Sequence, residues 1–295
     1  MRKTFVAILI SLLSLFIVVT VLKRRSIHVI TEDSNNTMTV VDKEKVQHFW
    51  EIYRQATEYR IAGNPGEAAV EYGRAIDLNG RHEDALYYLG NMKFELGEFE
   101  AAEQAWKRLI EVNPNSARAH YQLGTLYLSM ESKDQFSLDE AEAKFQQALA
   151  INKEETTPLL RLGQVALIRG NLSQSQRLFD NVIASNYRSV EAHFLRGYID
   201  WKKENLEGAS TFLMKAVEYL KSPLSDQEFS GEGDTKTGTL AGLPRGPNWE
   251  GIFQAYMADL SKLDEIDLPR EMHSRYEQLD EYIKQVRKKS LSATT

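Results

Sequence analysis

Apolar side chains recur every three or four residues from about Phe49 to Lys221, in short helical stretches separated by turn residues. One complete unit is HEDALYYLGNMKFELGEFEAAEQAWKRLIEVNPN, His82 to Asn115. Leu89 and Gly90 lie in its first half, Gly97 and Phe99 at the reversal, Ala102 and Trp106 in its second half, and Pro114 closes it. The pattern predicts two helices joined by a tight turn.

Neighbouring segments can be laid over this unit. The small residue of the first helix recurs as Ala56, Gly90, Gly124, Gly163 and Gly197, spaced 34, 34, 39 and 34 residues apart. A second register runs through Ala68, Ala102, Ala141, Ser175 and Ala209, each followed four residues later by Tyr72, Trp106, Phe145, Phe179 or Leu213. The small side chains let helices approach, the large ones fill the gap, and stacked units bury what a single pair would expose. Gly124 to Ala141 spans 17 residues where Gly90 to Ala102 spans 12, so the third unit carries five extra residues. They fall in MESKDQFSLDE, between the helices, where a longer loop costs little entropy. Turn signals sit at Gly63-Asn64-Pro65, Gly97, Gly170-Asn171 and Asn205.

With these residues, the chain from about Phe49 to Lys221 resembles the tetratricopeptide repeat (TPR) family, whose 34-residue unit is a helix-turn-helix. Leu89, Gly90, Phe99, Ala102, Trp106 and Pro114 occupy the signature positions of repeat two, and Leu123, Gly124, Tyr127, Ala141, Phe145 and Ala148 those of repeat three. Ala56, Ser175 and Arg196 depart from the signature in repeats one, four and five. The resemblance implies an all-α, right-handed solenoid of about five repeats across residues 47–222, with the first helices lining a concave face.

Outside the repeats the pattern changes. Nineteen uncharged residues, Thr4 to Leu22, lie between Lys3 and Lys23, long enough at 1.5 Å per residue to cross a hydrocarbon core of about 30 Å. A cleaved signal peptide is the competing reading. Its apolar stretch is usually shorter and ends in small residues, whereas this one ends Val18-Val19-Thr20-Val21-Leu22 against Lys23-Arg24-Arg25. Residues 1–25 are therefore expected to form an uncleaved transmembrane signal anchor, followed by a polar tether over 26–46. Basic residues on both flanks nearly balance. The short basic amino terminus and the family habit place the repeats outside the cytoplasm, on the periplasmic side. After Ser222, residues 223–247 are rich in Gly, Ser, Thr and Pro and predict a loop. Apolar periodicity returns at Trp249, Ile252, Phe253, Tyr256, Leu260 and Leu263, and again at Met272, Tyr276, Leu279, Ile283 and Val286. Residues 248–295 thus predict two further amphipathic helices, which would cap the exposed end of the solenoid or bind a second partner.

Composition narrows the chemistry. A net charge of -6 argues against nucleic-acid binding, which needs a basic face. With no cysteine, disulfides, thiolate metal sites and a cysteine nucleophile are excluded. The six histidines show no metal-ligand spacing: His82-Glu83 begins like a zinc-protease helix, but Leu86 stands where the second histidine belongs. No Gly-x-Ser-x-Gly elbow occurs, and the carboxylates nominate no acid–base pair. The expectation is a non-enzyme without cofactor or metal.

The concave face remains. The resemblance places on it Trp50, Tyr53 and Arg60, then Tyr87, Asn91 and Phe94, then Arg118, Tyr121 and Thr125, then Leu160 and Gln164, then Phe194, Tyr198 and Trp201. Among them Tyr53, Tyr87, Asn91, Phe94, Arg118, Tyr121, Gln164, Phe194, Tyr198 and Trp201 are the candidate peptide-binding residues. Rings supply area and hydroxyls and amides supply orientation, which suits an extended or helical protein segment. One subgroup of the family clamps the terminal carboxylate of heat-shock chaperones; here Tyr53, Thr57, Tyr88 and Gln122 stand at clamp positions and only Arg118 is of the right kind. The expected function is a membrane-anchored scaffold assisting assembly or quality control of other proteins. The alternative is a maturation factor that presents substrate protein to an enzyme, as in cytochrome biogenesis.

The intact protein is expected to partition with membranes and resist carbonate extraction, while a fragment beginning at Ser26 stays soluble and folded. Processing to a shorter mature form by signal peptidase would contradict the anchor.

Overall fold

The computed structural model describes residues 43–132, 134–221, 252–263 and 267–292. The expected anchor at Thr4–Leu22, most of the tether and the 223–247 loop lie outside them. Among the described residues there is no strand, and no helix is long and apolar enough to cross a membrane. The chain divides into two compact units, Met1–Arg54 and Gln55–Thr295. Within the first, the described residues begin helix α1, which spans 43–61 and starts four residues inside the stretch read as tether.

The second unit contains the end of α1 and a series of helix pairs. These are α2 (Pro65–Leu78), α3 (Glu83–Glu95) with α4 (Phe99–Val112), α5 (Ala117–Leu128) with α6 (Leu138–Ile151), α7 (Thr156–Arg169) with α8 (Leu172–Ser185), and α9 (Val190–Lys202) with α10 (Leu206–Lys221). From α3 to α10 the two helices of each pair pack on each other, and α2, α4, α6 and α8 pack on the first helix of the next pair, which is the stacking of an all-α repeat solenoid. Local chemistry sets the ends. Ser137 caps α6, its hydroxyl accepting from the Glu140 amide, with Asp139 and Glu140 in the first turn complementing the helix dipole. Gly63, Gly97 and Gly170 take φ of 77°, 75° and 86° at the reversals, a left-handed conformation that costs other residues energy. The five extra residues form the α5–α6 connection, where Ser132 is buried and its hydroxyl donates to the Leu126 and Ser129 carbonyls.

The two registers read from the sequence meet inside each pair. A Cβ built on Gly90 would lie 2.3 Å from Trp106 Nε1, one on Gly124 2.6 Å from a Phe145 ring carbon, and one on Gly163 2.5 Å from a Phe179 ring carbon. Ala102, Trp106, Ala141, Phe145, Ser175 and Phe179 are fully enclosed. Trp106 also donates its indole N–H to the Tyr87 carbonyl at 3.3 Å. The glycine is thus required because the ring of the facing helix already fills the space its side chain would take.

The C-terminal segment departs from expectation. Two helices were expected, but the first apolar stretch forms only two 3-10 turns, Gln254–Met257 and Leu260–Lys262. The chain is broken between them by extended Ala258 and left-handed Asp259. The carbonyls of Tyr256 and Ala258 turn instead to accept hydrogen bonds from Arg275. A continuous helix would satisfy these carbonyls internally. The apolar stripe still buries Phe253, Met257, Leu260 and Leu263. The second stretch is a helix, α11 (Leu268–Ser292), which buries Met272, Tyr276, Leu279, Ile283 and Val286.

Trp106→Ala is expected to cost about 3 to 5 kcal/mol through lost burial and a cavity, and Ala102→Leu about 1 to 3 kcal/mol through overpacking. Urea unfolding followed by circular dichroism checks both, and unchanged midpoints would refute the register.

Candidate functional site

The first helices α3, α5, α7 and α9 carry the residues assigned to the partner-binding face. Between α3 and α5, Gln122 donates to the Tyr87 hydroxyl at 3.2 Å and to Asn91 Oδ1 at 3.1 Å. The Arg118 guanidinium lies 4.6 Å over the Tyr87 ring and pairs with Asp84. The same bracket is repeated one step on. Arg161, at the position equivalent to Gln122, donates to the Tyr121 hydroxyl at 3.4 Å, to Gln164 at 3.1 Å and to Glu191 of α9 at 3.3 Å. Arg161 is 5% exposed, and although burial acts to lower its basicity, Tyr121 and Glu191 raise its pKa above the ordinary arginine value. Burial likewise raises the Tyr87 phenol against hydrogen bonds with Asn91 and Gln122. Each ring is therefore held from below by a polar side chain of the next repeat.

The candidate residues fall into four groups. Tyr87, Arg118 and Tyr121 are half-buried, with Asn91 and Gln164 enclosed beneath them. Phe94 turns toward the second helix of its own repeat, 5.4 Å from Phe99 and 5.9 Å from Trp106 between ring centres, and belongs to the core. Tyr53 lies in the first unit, where it stacks on Phe49 at 5.9 Å.

Phe194, Tyr198 and Trp201 surround Tyr276 of α11 at 5.3, 5.9 and 6.0 Å. Phe194 and Tyr198 are buried and Trp201 is half-buried. The Tyr198 hydroxyl donates to Asp280 at 2.7 Å, Lys202 pairs with Asp280 at 2.9 Å, and the Trp201 indole donates to His273 at 3.0 Å. Burial acts to raise the Asp280 carboxyl, but hydrogen bonds from Tyr198, Lys202 and Lys284 hold it below its ordinary value. Further along α11, Arg287 donates to the Ile168 carbonyl at 2.6 Å, capping the end of α7. Lys289 donates to the Met130 carbonyl at 3.1 Å and lies 4.8 Å over the Phe136 ring. α11 thus covers the first-helix side of repeats four and five and reaches the α5–α6 connection. Arg161, Glu191 and Tyr276 join this face in the structure although none is among the candidates that the repeat positions nominate. Arg161 and Gln122 share a repeat position, which was a legible signal; Tyr276 lies outside the repeats and had none.

Comparison with known proteins agrees with this architecture. Residues 53–106 and 160–218 match the model of the tetratricopeptide repeat family, and residues 90–130 a TPR repeat model. The matched stretches, residues 53–130 and 160–218, carry tetratricopeptide repeats. It is 24% identical over 170 residues to the BBSome complex member BBS4 of Mus musculus, covering 56% of this chain and 31% of that protein. It is 29% identical over 107 residues to the photosystem I assembly protein Ycf3 of Acaryochloris marina, 35% of this chain and 64% of that one. The chain therefore spans only part of these curated relatives. Among solved structures, MamA from Desulfovibrio magneticus RS-1 superposes with a TM-score of 0.53 at 18% identity, over 61% of this chain and 98% of that one. Among the described residues no group of three or more His, Asp or Glu is placed to hold a metal ion.

Glu191→Ala leaves the buried Arg161 charge without its carboxylate and is expected to cost about 3 to 5 kcal/mol. Asp84→Ala breaks the more exposed Arg118 pair and is expected to cost about 0 to 1 kcal/mol. Urea midpoints of the two variants check the contrast.

Proposed function

We propose that the protein is a membrane-tethered scaffold that binds a partner protein on the first-helix face of repeats two and three and assists assembly or quality control of other proteins. The observation that carries this reading is the row of half-exposed Tyr87, Arg118 and Tyr121, held in fixed orientation by Gln122 and Arg161. Preorganised rings lose little side-chain entropy on binding, and aromatic and arginine side chains supply most hot-spot energy. The assembly role is supported by similarity to Ycf3, itself a photosystem I assembly protein. The tether rests on the apolar run Thr4 to Leu22, and the same proposal puts the repeats on the extracytoplasmic side.

A photocrosslinking amino acid at position 121 in cells is expected to trap a discrete partner, and one at the exposed Glu111 of α4 is not. Tyr87→Ala with Tyr121→Ala is then expected to abolish partner recovery, each ring contributing on the order of 2 kcal/mol, with helical content retained and the fold still cooperative, though melting at a lower temperature because the two hydroxyls also partner Gln122 and Arg161. Undiminished recovery by the folded double variant would move the site elsewhere.

A further inference from the structure

In repeats two to five the first helix starts seven positions before its small residue, with Glu83, Ala117, Thr156 and Val190 leading to Gly90, Gly124, Gly163 and Gly197. α1 begins at Lys43, thirteen positions before Ala56, so its amino end runs six residues longer than in the other repeats. Trp50 falls where those repeats carry Asp84, Arg118, Thr157 and Glu191. A polar position elsewhere thus holds a tryptophan in repeat one, and that tryptophan is 53% exposed. Val46, one turn earlier, is 55% exposed. The half-buried Tyr53 adds a second ring, 5.7 Å from Trp50 between centres. At 3.6 residues per turn, Val46, Trp50 and Tyr53 share one side of the helix, and the exposed Lys43 and Arg54 run along its border. Glu44 and Glu51 lie more than a right angle round the helix from all three.

We infer that the amino end of α1 lies on the surface of an anionic phospholipid bilayer, with Val46 and Trp50 at the boundary between headgroups and acyl chains and Lys43 and Arg54 at the phosphates. This rests on the membrane tether proposed above and adds a second point of contact to it. The apolar run ends at Leu22, twenty residues before Lys43. Twenty residues span at most about 70 Å even when fully extended, so a bilayer holding that run stays within reach of α1 at high effective concentration. Tryptophan and tyrosine favour the interface because each ring is apolar with one polar tip. Lysine and arginine lay their stems along the apolar side and carry their charge out to the phosphates. Two exposed apolar side chains and one half-buried ring are too small for an independent protein interface, which buries at least about 1,000 Å². They suffice for a surface on which the anchor already holds the chain.

The test reconstitutes the full chain in vesicles of phosphatidylcholine and phosphatidylglycerol that carry brominated lipid, and compares its tryptophan emission with that of Trp50→Phe. The difference reads Trp50 apart from Trp106, Trp201 and Trp249. Bromines near the headgroup end of the acyl chains are expected to quench it at least about twofold more than bromines near the bilayer centre. Omitting phosphatidylglycerol, or combining Lys43→Ala with Arg54→Ala, is expected to reduce that quenching at least about twofold. All three substituted side chains are exposed, and circular dichroism checks that the helical content of each variant is unchanged. An unquenched Trp50 in a chain that resists carbonate extraction would overturn the inference and leave the tether standing. Release of the chain by carbonate would overturn both. Quenching indifferent to phosphatidylglycerol and to the double variant would overturn the assignment to anionic lipid. A photocrosslinking amino acid at position 50 that captures a protein in cells, and no lipid, would overturn the inference in favour of a protein partner.

Discussion

Each repeat depends on a backbone without a side chain meeting a ring. Gly90 against Trp106, Gly124 against Phe145 and Gly163 against Phe179 bring paired helices so close that a single added methyl has no room. The ring gains dispersion contacts over the whole of one face, and the close approach fixes the angle and spacing of the pair. Because every pair has the same geometry, successive first helices present equivalent positions along one side. That registry places Gln122 under Tyr87 and Arg161 under Tyr121 in the same way, one repeat apart.

Where the rule is broken, the structure turns to another part of the chain. Leu213 is too small to fill the space above Gly197, and Tyr276 of α11 fills it and repeats the hydrogen bond that Trp106 makes. From that anchor α11 follows the end of α7 to the α5–α6 connection. The first-helix face therefore has two regions. Around Tyr87, Arg118 and Tyr121 it is partly exposed over a polar framework, and around Phe194 and Tyr198 it is closed.

The helix pairs, their number and the insertion in the third were legible in the sequence because a solenoid is held by contacts between near neighbours, so its periodicity is written directly into residue spacing. The amphipathic stripe of α11 was legible for the same reason, and so was the burial of Phe253, Leu260 and Leu263. The sequence could not distinguish a helix from the two turns at 254–262, since a stripe of period near 3.6 is served by any backbone that keeps those side chains on one side. Arg275 decided between them by claiming the Tyr256 and Ala258 carbonyls.

The candidate face was legible only as a set of repeat positions. Sequence spacing by itself determined that Tyr87, Tyr121 and Phe194 fall at one repeat position of the first helices, and Asn91, Gln164 and Tyr198 at another. It could not determine which of them meet solvent, because that depends on contacts between residues as far apart as Lys289 and Met130, or Arg287 and Ile168. Such pairings carry no period. Only the tertiary structure decided that α11 lies over repeats four and five, where Leu213 leaves a ring-sized space that a tyrosine more than sixty residues later in the chain occupies.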